Sequence, residues 1–419
     1  MKETKIITRL WGKINPCLID SYINEGGYVC FGKCLSGKLS PEKVRKIIID
    51  SGLRGRGGAG FKTGEKWELA TSTARRSKKN PILIINADES QPGTFKDRLM
   101  LEKNPQLVIE GALIAAYALS AKKVLFYING NYREQFKIVE EAIKQAEAKC
   151  FLSTTQESGK KIIVQPIRGA GGYIYGEETA QINSLEGQRG EPRVKPPYPV
   201  VKGLFGRPTV VNNVETIANI VPILELGVSE FKKFGVPGSW GTKLFSVSGT
   251  VKNPGVFELP LGSSLGNVLK DCCGWMANQK QFSFARIGGT GKFLGKEALS
   301  YPLIYGDAPG EINVGLGDIL VVDKNVSLKD LMEAWSSFYR RESCGQCTPC
   351  REGTFILAQM AERMKENDLK ENDWLNLENL LEALEKTALC PLGGFATKHW
   401  REFLRIKKES RLKKEKNKK

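Results

Sequence analysis

Residues 81–89 read Pro-Ile-Leu-Ile-Ile-Asn-Ala-Asp-Glu, an apolar run that stops abruptly at Asn86-Ala-Asp88-Glu89. Five apolar residues bounded by polar ones predict a buried strand over Pro81 to Ile85. The segments around it alternate in period. Leu107 to Leu119 is an apolar helix, and Lys123 to Ile128 (KVLFYI) is a second strand. Tyr132 to Lys149 is an amphipathic helix, and Lys161 to Ile167 is a third strand. This alternation predicts a parallel α/β domain. Asp88 and Glu89 then fall just past the carboxyl end of a strand, where open α/β sheets bind ligands. The bland alternative is a turn carrying two solvated acids.

Upstream, Ser40 and Pro41 announce a helix over Pro41 to Asp50, as N-cap and first helical residue. Behind it comes Arg54-Gly-Arg-Gly-Gly-Ala-Gly-Phe-Lys-Thr-Gly64. Gly55-x-Gly57-x-x-Gly60 matches a dinucleotide pattern formally, but it follows a helix and not a strand, so the match alone is weak. Five glycines in ten residues still let backbone N–H groups approach an anion, and Arg54, Arg56, Lys62 and Lys66 add positive charge. The reading is a phosphate-bearing ligand, with a flexible surface loop as the alternative. Downstream, Gly169 to Thr179 places glycines before Glu177 and Glu178, which open a helix. Acids there are ordinarily capping groups. Asn212-Asn213-Val-Glu215-Thr216 opens another helix, with Asn213 as its simplest N-cap.

Gly235 to Gly241 is read as a Gly/Pro linker. Lys243 to Val322 has short strands around one helix near Leu265 to Cys272, a β-grasp-like α+β pattern. From Ser327 onward helices are expected at 328–341, 352–366, 373–388 and 394–409. The expected division is an N-terminal segment at 1–40, the α/β domain at 41–240, the α+β domain at 241–325, a helical bundle at 326–410 and a basic tail at 411–419.

The chain has 419 residues, 41% hydrophobic and 26% charged, enough for roughly two to four domains. No apolar run reaches the roughly 18 residues of a membrane span, and Met1 to Asp20 has no clear signal-peptide core. The balance of 63 basic and 46 acidic residues gives +17. Ten Lys or Arg against three Glu from Arg401 to Lys419 account for +7 of it. No nucleic-acid signature accompanies the charge, so it reads as a solvated tail or a contact for an acidic partner. His399 is the single histidine, which excludes multi-histidine metal sites and disfavours a Ser-His-Asp mechanism.

Ten cysteines without a secretion signal point to thiols or metal ligands in a reducing compartment. Cys344-Gly-Gln-Cys347-Thr-Pro-Cys350, followed by Cys390 in Cys-Pro-Leu-Gly-Gly, is the strongest chemical signal. Three thiolates at this spacing wrap one side of a cubane iron–sulfur cluster and a distant fourth closes it. A structural zinc on the same four cysteines is the alternative, although zinc more often uses two separated C-x2-C pairs. Cys17, Cys30, Cys34, Cys150, Cys272 and Cys273 read as packed or incidental thiols.

Taken in order, LRGRGGAGF, NADE..PGTFKDR, GEETA..NSLEG, KPPYPV..GLFG.PTVVNNVET and ESCGQCTPCREG resemble the FMN-binding F subunits of NADH–quinone oxidoreductase, respiratory complex I. Flavin subunits of NAD-linked hydrogenases and formate dehydrogenases are related. The resemblance covers roughly residues 20 to 405 and implies a Rossmann-like FMN domain, a β-grasp domain of SLBB type and a four-helix bundle bearing one 4Fe–4S cluster. It implies that FMN is held by Gly55, Gly57, Lys66, Asn86, Asp88, Gly176, Glu177, Asn212, Asn213 and Thr216. Arg56, Gly58, Ala59, Gly60, Lys62, Thr63, Gly64 and Glu89 belong to the same motifs. NAD(H) would stack near Phe61, Tyr173, Glu178 and Tyr198, and Cys344, Cys347, Cys350 and Cys390 would ligate the cluster.

The implied activity is NADH oxidation by hydride transfer to FMN, which makes a proton-abstracting catalytic side chain unnecessary. The implied partners are a thioredoxin-like 2Fe–2S subunit and a large multi-cluster iron–sulfur subunit. The chain would lie on the cytoplasmic side of the inner membrane, touching it only through the complex. Three positions depart from the family. Gln91 stands where an acid is usual, Leu69 where an aromatic is usual and Lys62 where proline is usual. The first two face NADH in the family, so a donor such as reduced ferredoxin stays open as an alternative, as does a soluble hydrogenase or formate dehydrogenase complex.

Overall fold

The computed structural model describes residues 3–152, 161–288, 291–306 and 308–416, with side chains described up to residue 409. Four strands form one parallel sheet in the spatial order Ile163–Arg168, Lys123–Ile128, Ile82–Ala87, Thr209–Asn213. Three of them lie within two residues of their expected places. The fourth, Thr209–Asn213, reads in sequence only as the lead into a helix, because two asparagines in five residues mask a strand pattern. It pairs with the first strand so that Asn86 faces Asn213 in register. The carboxyl ends of these two neighbouring strands, the second at the sheet's edge, open onto one crevice.

The helix Pro105–Leu119 lies behind this sheet, with every residue but Tyr117 buried. Asn104 caps it by accepting from Leu107 N, and Pro105 occupies the first turn. Each large aliphatic residue buried here contributes about 1.5–3 kcal/mol relative to exposure. Glu110, in the middle of that helix, is fully buried and accepts from Tyr22 Oη (2.7 Å), Tyr28 N (2.8 Å) and Phe31 N (3.2 Å). One carboxylate thus pins the N-terminal segment to the core, and burial pushes its pKa up. The helix Thr63–Ser77 goes unmarked in the sequence pattern, since Gly64 and its Ser/Thr content weaken the helical signal. A Cβ on Gly64 would lie 2.7 Å from Ile49 Cα, so glycine here lets two helices touch.

A second, mixed sheet has the order Phe293–Leu294, Phe282–Ile287, Asp318–Asp323, Thr242–Gly249, Gly255–Pro260, with Asp318–Asp323 parallel to Thr242–Gly249. The expected helix near 265–272 is a short π-type turn, Asn267–Cys272. The expected linker at 235–241 is instead a small hairpin. Gly235–Val236 pairs antiparallel with Ser239–Trp240 across Pro237-Gly238, where Gly238 has φ +81°.

Four helices complete the described chain: Leu328–Glu342, Thr348–Lys365, Glu371–Thr387 and Pro391–Lys416. The second begins four residues earlier than expected because Pro349 is tolerated in a first turn. Cys350 therefore sits on a helix. The backbone runs helically to Lys416, and the side chains of the expected basic tail, 411–419, lie outside the described residues. Among the described residues no helix is long and apolar enough to cross a membrane.

Candidate functional site

A cleft of about 490 Å³ opens at the carboxyl ends of the neighbouring strands Ile82–Ala87 and Thr209–Asn213. Ten of the candidate flavin and nucleotide residues line it, Gly57, Gly58, Ala59, Asn86, Asp88, Glu89, Tyr173, Gly176, Glu177 and Asn213, together with the candidate thiol Cys390. Asn86 Nδ2 donates to Gly176 O (2.9 Å) and its Oδ1 accepts from Asp88 N (3.1 Å), tying two walls together. Asp88 Oδ1 accepts from Asn129 Nδ2 at 2.9 Å and from Ser90 Oγ. Asp88 Oδ2 is buried without a partner. Burial lifts this carboxyl to about 6, against the opposing hydrogen bonds of Ser90 and Asn129. Gln91 Oε1 accepts from Tyr173 Oη (2.9 Å). Buried polar atoms without partners are costly unless a ligand satisfies them, so the cleft is chemically incomplete in the way a polar ligand site is.

The glycine loop forms one rim. A Cβ on Gly57 would approach Asn213 Cβ to 3.0 Å, and Gly58 holds φ +115°. A Cβ on Gly60 would meet the Tyr305 ring at 2.6 Å. These positions keep backbone close to the cleft in a way other residues would obstruct.

Several candidates lie behind the cleft and do not line it. Arg56 N donates to Thr216 Oγ1 (2.8 Å), and its buried guanidinium turns away to Trp240 O (2.7 Å). The expected contribution of Arg56 to a positive anion site is therefore directed inward. Asn212 Oδ1 accepts from Trp67 Nε1 (2.9 Å). Thr63 N donates to Leu53 O (2.9 Å) and Gly64 packs on Ile49, so both serve the loop's frame. Gly55 likewise donates its N–H to Phe61 O at 2.8 Å. Lys66 Nζ reaches Glu178 Oε2 (3.0 Å) and Val211 O (2.9 Å). Lys62 is paired with Glu65, and Phe61, Leu69 and Tyr198 remain about half exposed outside the cleft lining.

The capping readings of Glu177 and Asn213 also hold. Glu177 accepts from Thr179 N (2.8 Å) and Ala180 N (2.9 Å), and Asn213 Oδ1 accepts from Glu215 N (3.0 Å). Capping and cleft-lining coexist because a helix N-terminus faces the same crevice. Glu89 caps the helix Lys96–Lys103 by accepting from Asp97 N (2.9 Å) and Arg98 N (3.0 Å), and burial raises its pKa.

The four cysteines of the C-terminal region share one small pocket with Ile174, Ser343 and Leu392. Gly345, at φ +77°, makes the tight turn after Cys344. Arg189 Nη2 and Arg351 Nη1 (2.8 Å) hold the carbonyls of Cys344 and Gly345. Among the described residues no group of three or more His, Cys, Asp or Glu side chains is placed to hold a single metal ion. Four thiols lining one pocket match the ligand set of a 4Fe–4S cluster. Burial raises the Cys350 thiol to about 11 and the Cys390 thiol to about 12. Ligation must therefore displace protons.

The remaining cysteines are free. Cys30, Cys34 and Cys273 are buried, Cys272 is half-buried, and Cys17 and Cys150 are exposed. His399, expected on a basic helix, is buried beside Ser336 Oγ (3.0 Å) and stacked on Tyr339, so it belongs to the bundle core.

The residues from 48 to 222 match the Nuo51 FMN-binding domain, 244 to 291 match the SLBB domain, and 330 to 410 match the NADH-ubiquinone oxidoreductase-F iron-sulfur binding region. The chain is 42% identical over 390 residues to the NADH-quinone oxidoreductase F subunit of Aquifex aeolicus, covering 92% of this chain and 88% of the relative. It belongs to the family of NADH-quinone oxidoreductase F subunits. The Escherichia coli F subunit is 40% identical, over 90% of this chain and 85% of its own. The fold is also that of a chain of the NAD+-reducing [NiFe]-hydrogenase in its H2-reduced state. That match has a TM-score of 0.80 and 35% identity, covering 87% of this chain. This chain spans 61% of that hydrogenase chain. As a member of the F-subunit family it carries an FMN-binding domain, an SLBB domain and a 4Fe–4S binding region.

Other cleft residues escape a reading of the sequence for ligand candidates. Thr94 and Asp97 sit inside the quoted PGTFKDR motif. Asn313, Gly315 and Leu316 come from the second sheet's domain, and Phe395 and Lys398 from the last helix. No local pattern marks those five, because only the packing of three bodies brings them to the cleft.

Proposed function

We propose that this chain is the electron-input subunit of an NADH–quinone oxidoreductase. It oxidises NADH by hydride transfer to FMN and passes single electrons through a 4Fe–4S cluster towards quinone. The observation that carries this reading is the adjacency of the polar cleft and the four-cysteine pocket, which share Ile174, Cys390 and Leu392. A flavin accepts electrons in pairs and releases them singly, which is the conversion needed between a hydride donor and an iron–sulfur centre.

In this reading Gly57, Gly58 and Ala59 would present backbone to the flavin, and Asn86, Asp88, Glu177 and Asn213 would offer it polar atoms. Asp88 Oδ2, buried and unpaired, is suited to accept from a hydroxyl or ring N–H. Lys66, paired with Glu178, supplies charge at the edge of the site. Gly55, Arg56, Gly60, Thr63, Gly64, Asn212 and Thr216 hold the loop that presents these groups. Phe61, Lys62, Tyr173, Glu178 and Tyr198 flank the approach for NAD(H). Cys344, Cys347, Cys350 and Cys390 ligate the cluster. No side chain has to abstract a proton from the donor.

The partners in this reading are the thioredoxin-like 2Fe–2S subunit and the large multi-cluster subunit, on the cytoplasmic side and peripheral to the inner membrane. The likeness to the hydrogenase chain supports a second reading, the flavin subunit of a soluble NAD-linked complex. Purified anaerobically, the protein should hold flavin and about four irons per chain, and NADH should bleach the flavin in stopped flow. A colourless zinc-containing preparation overturns the assignment. Bound flavin that ignores NADH overturns the donor alone.

A further inference from the structure

The cleft and the cysteine pocket meet at a thin wall. Cys390 is the one cysteine of the four that lines both cavities; Cys344, Cys347 and Cys350 line the pocket only. On the sheet side the wall is Ile174, carried on the short 3-10 turn Tyr173–Gly176. A single turn of this kind has little rigidity of its own. Asn86 and Gln181 hold its far end through Gly176 O and Tyr175 O, and a carboxylate from the bundle holds its start: Glu342 Oε2 accepts from Tyr173 N at 2.7 Å. Glu342 ends the helix Leu328–Glu342, directly ahead of Ser343 and Cys344. The Tyr173 ring packs edge-on against Phe338 (5.3 Å) and Tyr339 (6.4 Å) of that same helix. Tyr173 Oη, at the other end of the ring, donates to Gln91 in the cleft.

We propose that Glu342 is a positioning residue that sets the gap between the flavin cleft and the cysteine pocket, across which electrons pass at Ile174 and Cys390. This rests on the proposed function, since it requires both prosthetic groups. Each crossing oxidises the flavin side by one electron and reduces the cluster by one. A second crossing follows once the partner iron–sulfur subunit has drained the first electron, and the flavin's protons leave through the open cleft to solvent. Tunnelling rates fall exponentially with separation. A wall released from its bond therefore slows transfer while both binding sites stay filled. Gly172, next to the turn, offers no side chain to replace the bond; a Cβ there would still be 3.7 Å from Glu342 Oε2.

The test uses the anaerobic holoprotein with the flavin photoreduced by a deazaflavin sensitiser and EDTA, so that the identity of the natural donor plays no part. Cluster reduction is followed by its visible absorbance and by electron paramagnetic resonance. Glu342→Ala should slow it severalfold. Flavin content, iron content and cluster midpoint potential should stay unchanged. Glu342→Gln, whose amide oxygen still accepts from Tyr173 N, should restore the rate. A wild-type rate in Glu342→Ala overturns the proposal, and so does a Glu342→Gln variant as slow as Glu342→Ala. If Glu342→Ala loses its iron, Glu342→Asp decides: one methylene shorter, it draws the carboxylate back from Tyr173 N and should slow transfer, and an unchanged rate there overturns the proposal. A wild-type protein without flavin or iron fails earlier, at the proposed function itself.

Discussion

The ammonium of Lys96 lies 2.9 Å from the carboxylate of Glu215, and neither side chain has any solvent exposure. Lys96 also meets Asp97 Oδ1 at 2.7 Å, and Lys243 of the second sheet meets the same Glu215 oxygen at 3.3 Å. Glu215 Oε1 accepts from Leu244 N at 2.8 Å. One buried anion thus joins the floor of the cleft to the second sheet between two cations.

Glu215→Gln should therefore cost about 3–5 kcal/mol, the penalty for breaking a buried pair and stranding its partners. Thermal or denaturant unfolding of the purified protein measures this. Although burial opposes ionisation, Lys243, Lys96 and Arg56 hold the Glu215 pKa below its ordinary value. A depressed folded pKa contributes stability above the unfolded carboxylate range and loses it as pH falls through the folded value. The wild type should lose stability below about pH 4, and Glu215→Gln should show a weaker acid slope. An equal slope would remove Glu215 from the account.

Asp88 has the opposite shift, with burial lifting it to about 6. Ionising it costs folding energy as pH rises from the unfolded carboxylate range of about 4 through 6. If its free oxygen accepts from FMN, the ligand selects the ionised form. FMN affinity of the flavin-stripped protein should then weaken as pH falls below about 6, read by fluorescence quenching. Asp88→Asn should flatten that profile. A flat wild-type profile between about pH 4 and 8, roughly two units on either side of the shift, would mean that Asp88 does not accept from the flavin.

Cys390→Ala should abolish cluster loading, and Cys272→Ser should leave it intact, because only Cys390 shares a pocket with the other three thiols. Iron analysis and visible absorbance distinguish them. Full iron in Cys390→Ala would disprove the ligand set.

Leu69 is half exposed on the helix Thr63–Ser77, and Gln91 is buried in the cleft. Leu69→Phe should restore an aromatic platform worth about 1 kcal/mol, lowering the NADH Michaelis constant about fivefold in a ferricyanide assay. Gln91→Glu places an anion beside the flavin and should lower its midpoint potential. Unchanged values in both variants would mean that neither position touches the nucleotide or the flavin's charge.

The polar end of the first strand, the capping of Pro41–Ser51 by Ser40 and the cysteine spacing are all local patterns, and sequence alone pointed to the cleft-lining strand end and to the four thiols of one pocket. The family resemblance extended that reading to the order of the three bodies. Local signals failed where the structure depends on distant partners. Gly64 and Gly60 sit in one glycine run, yet Gly64 is small so that a helix can touch Ile49, and Gly60 so that the loop can pass Tyr305. Arg56 looks like an anion ligand in sequence, but its guanidinium is drawn inward by Trp240 O.

Periodicity, caps and thiol spacing depend on residues a few positions apart, so the sequence by itself determined the kinds of element, the thiol set and the chemistry at the end of the first strand. The site as a cavity is different. Its walls come from Gly57, Leu316 and Lys398, and its boundary with the cluster pocket from Ile174 and Cys390. Only tertiary packing decided which polar groups remained unpaired there, because hydrogen bonding is satisfied or refused by whatever the whole fold brings within about 3 Å.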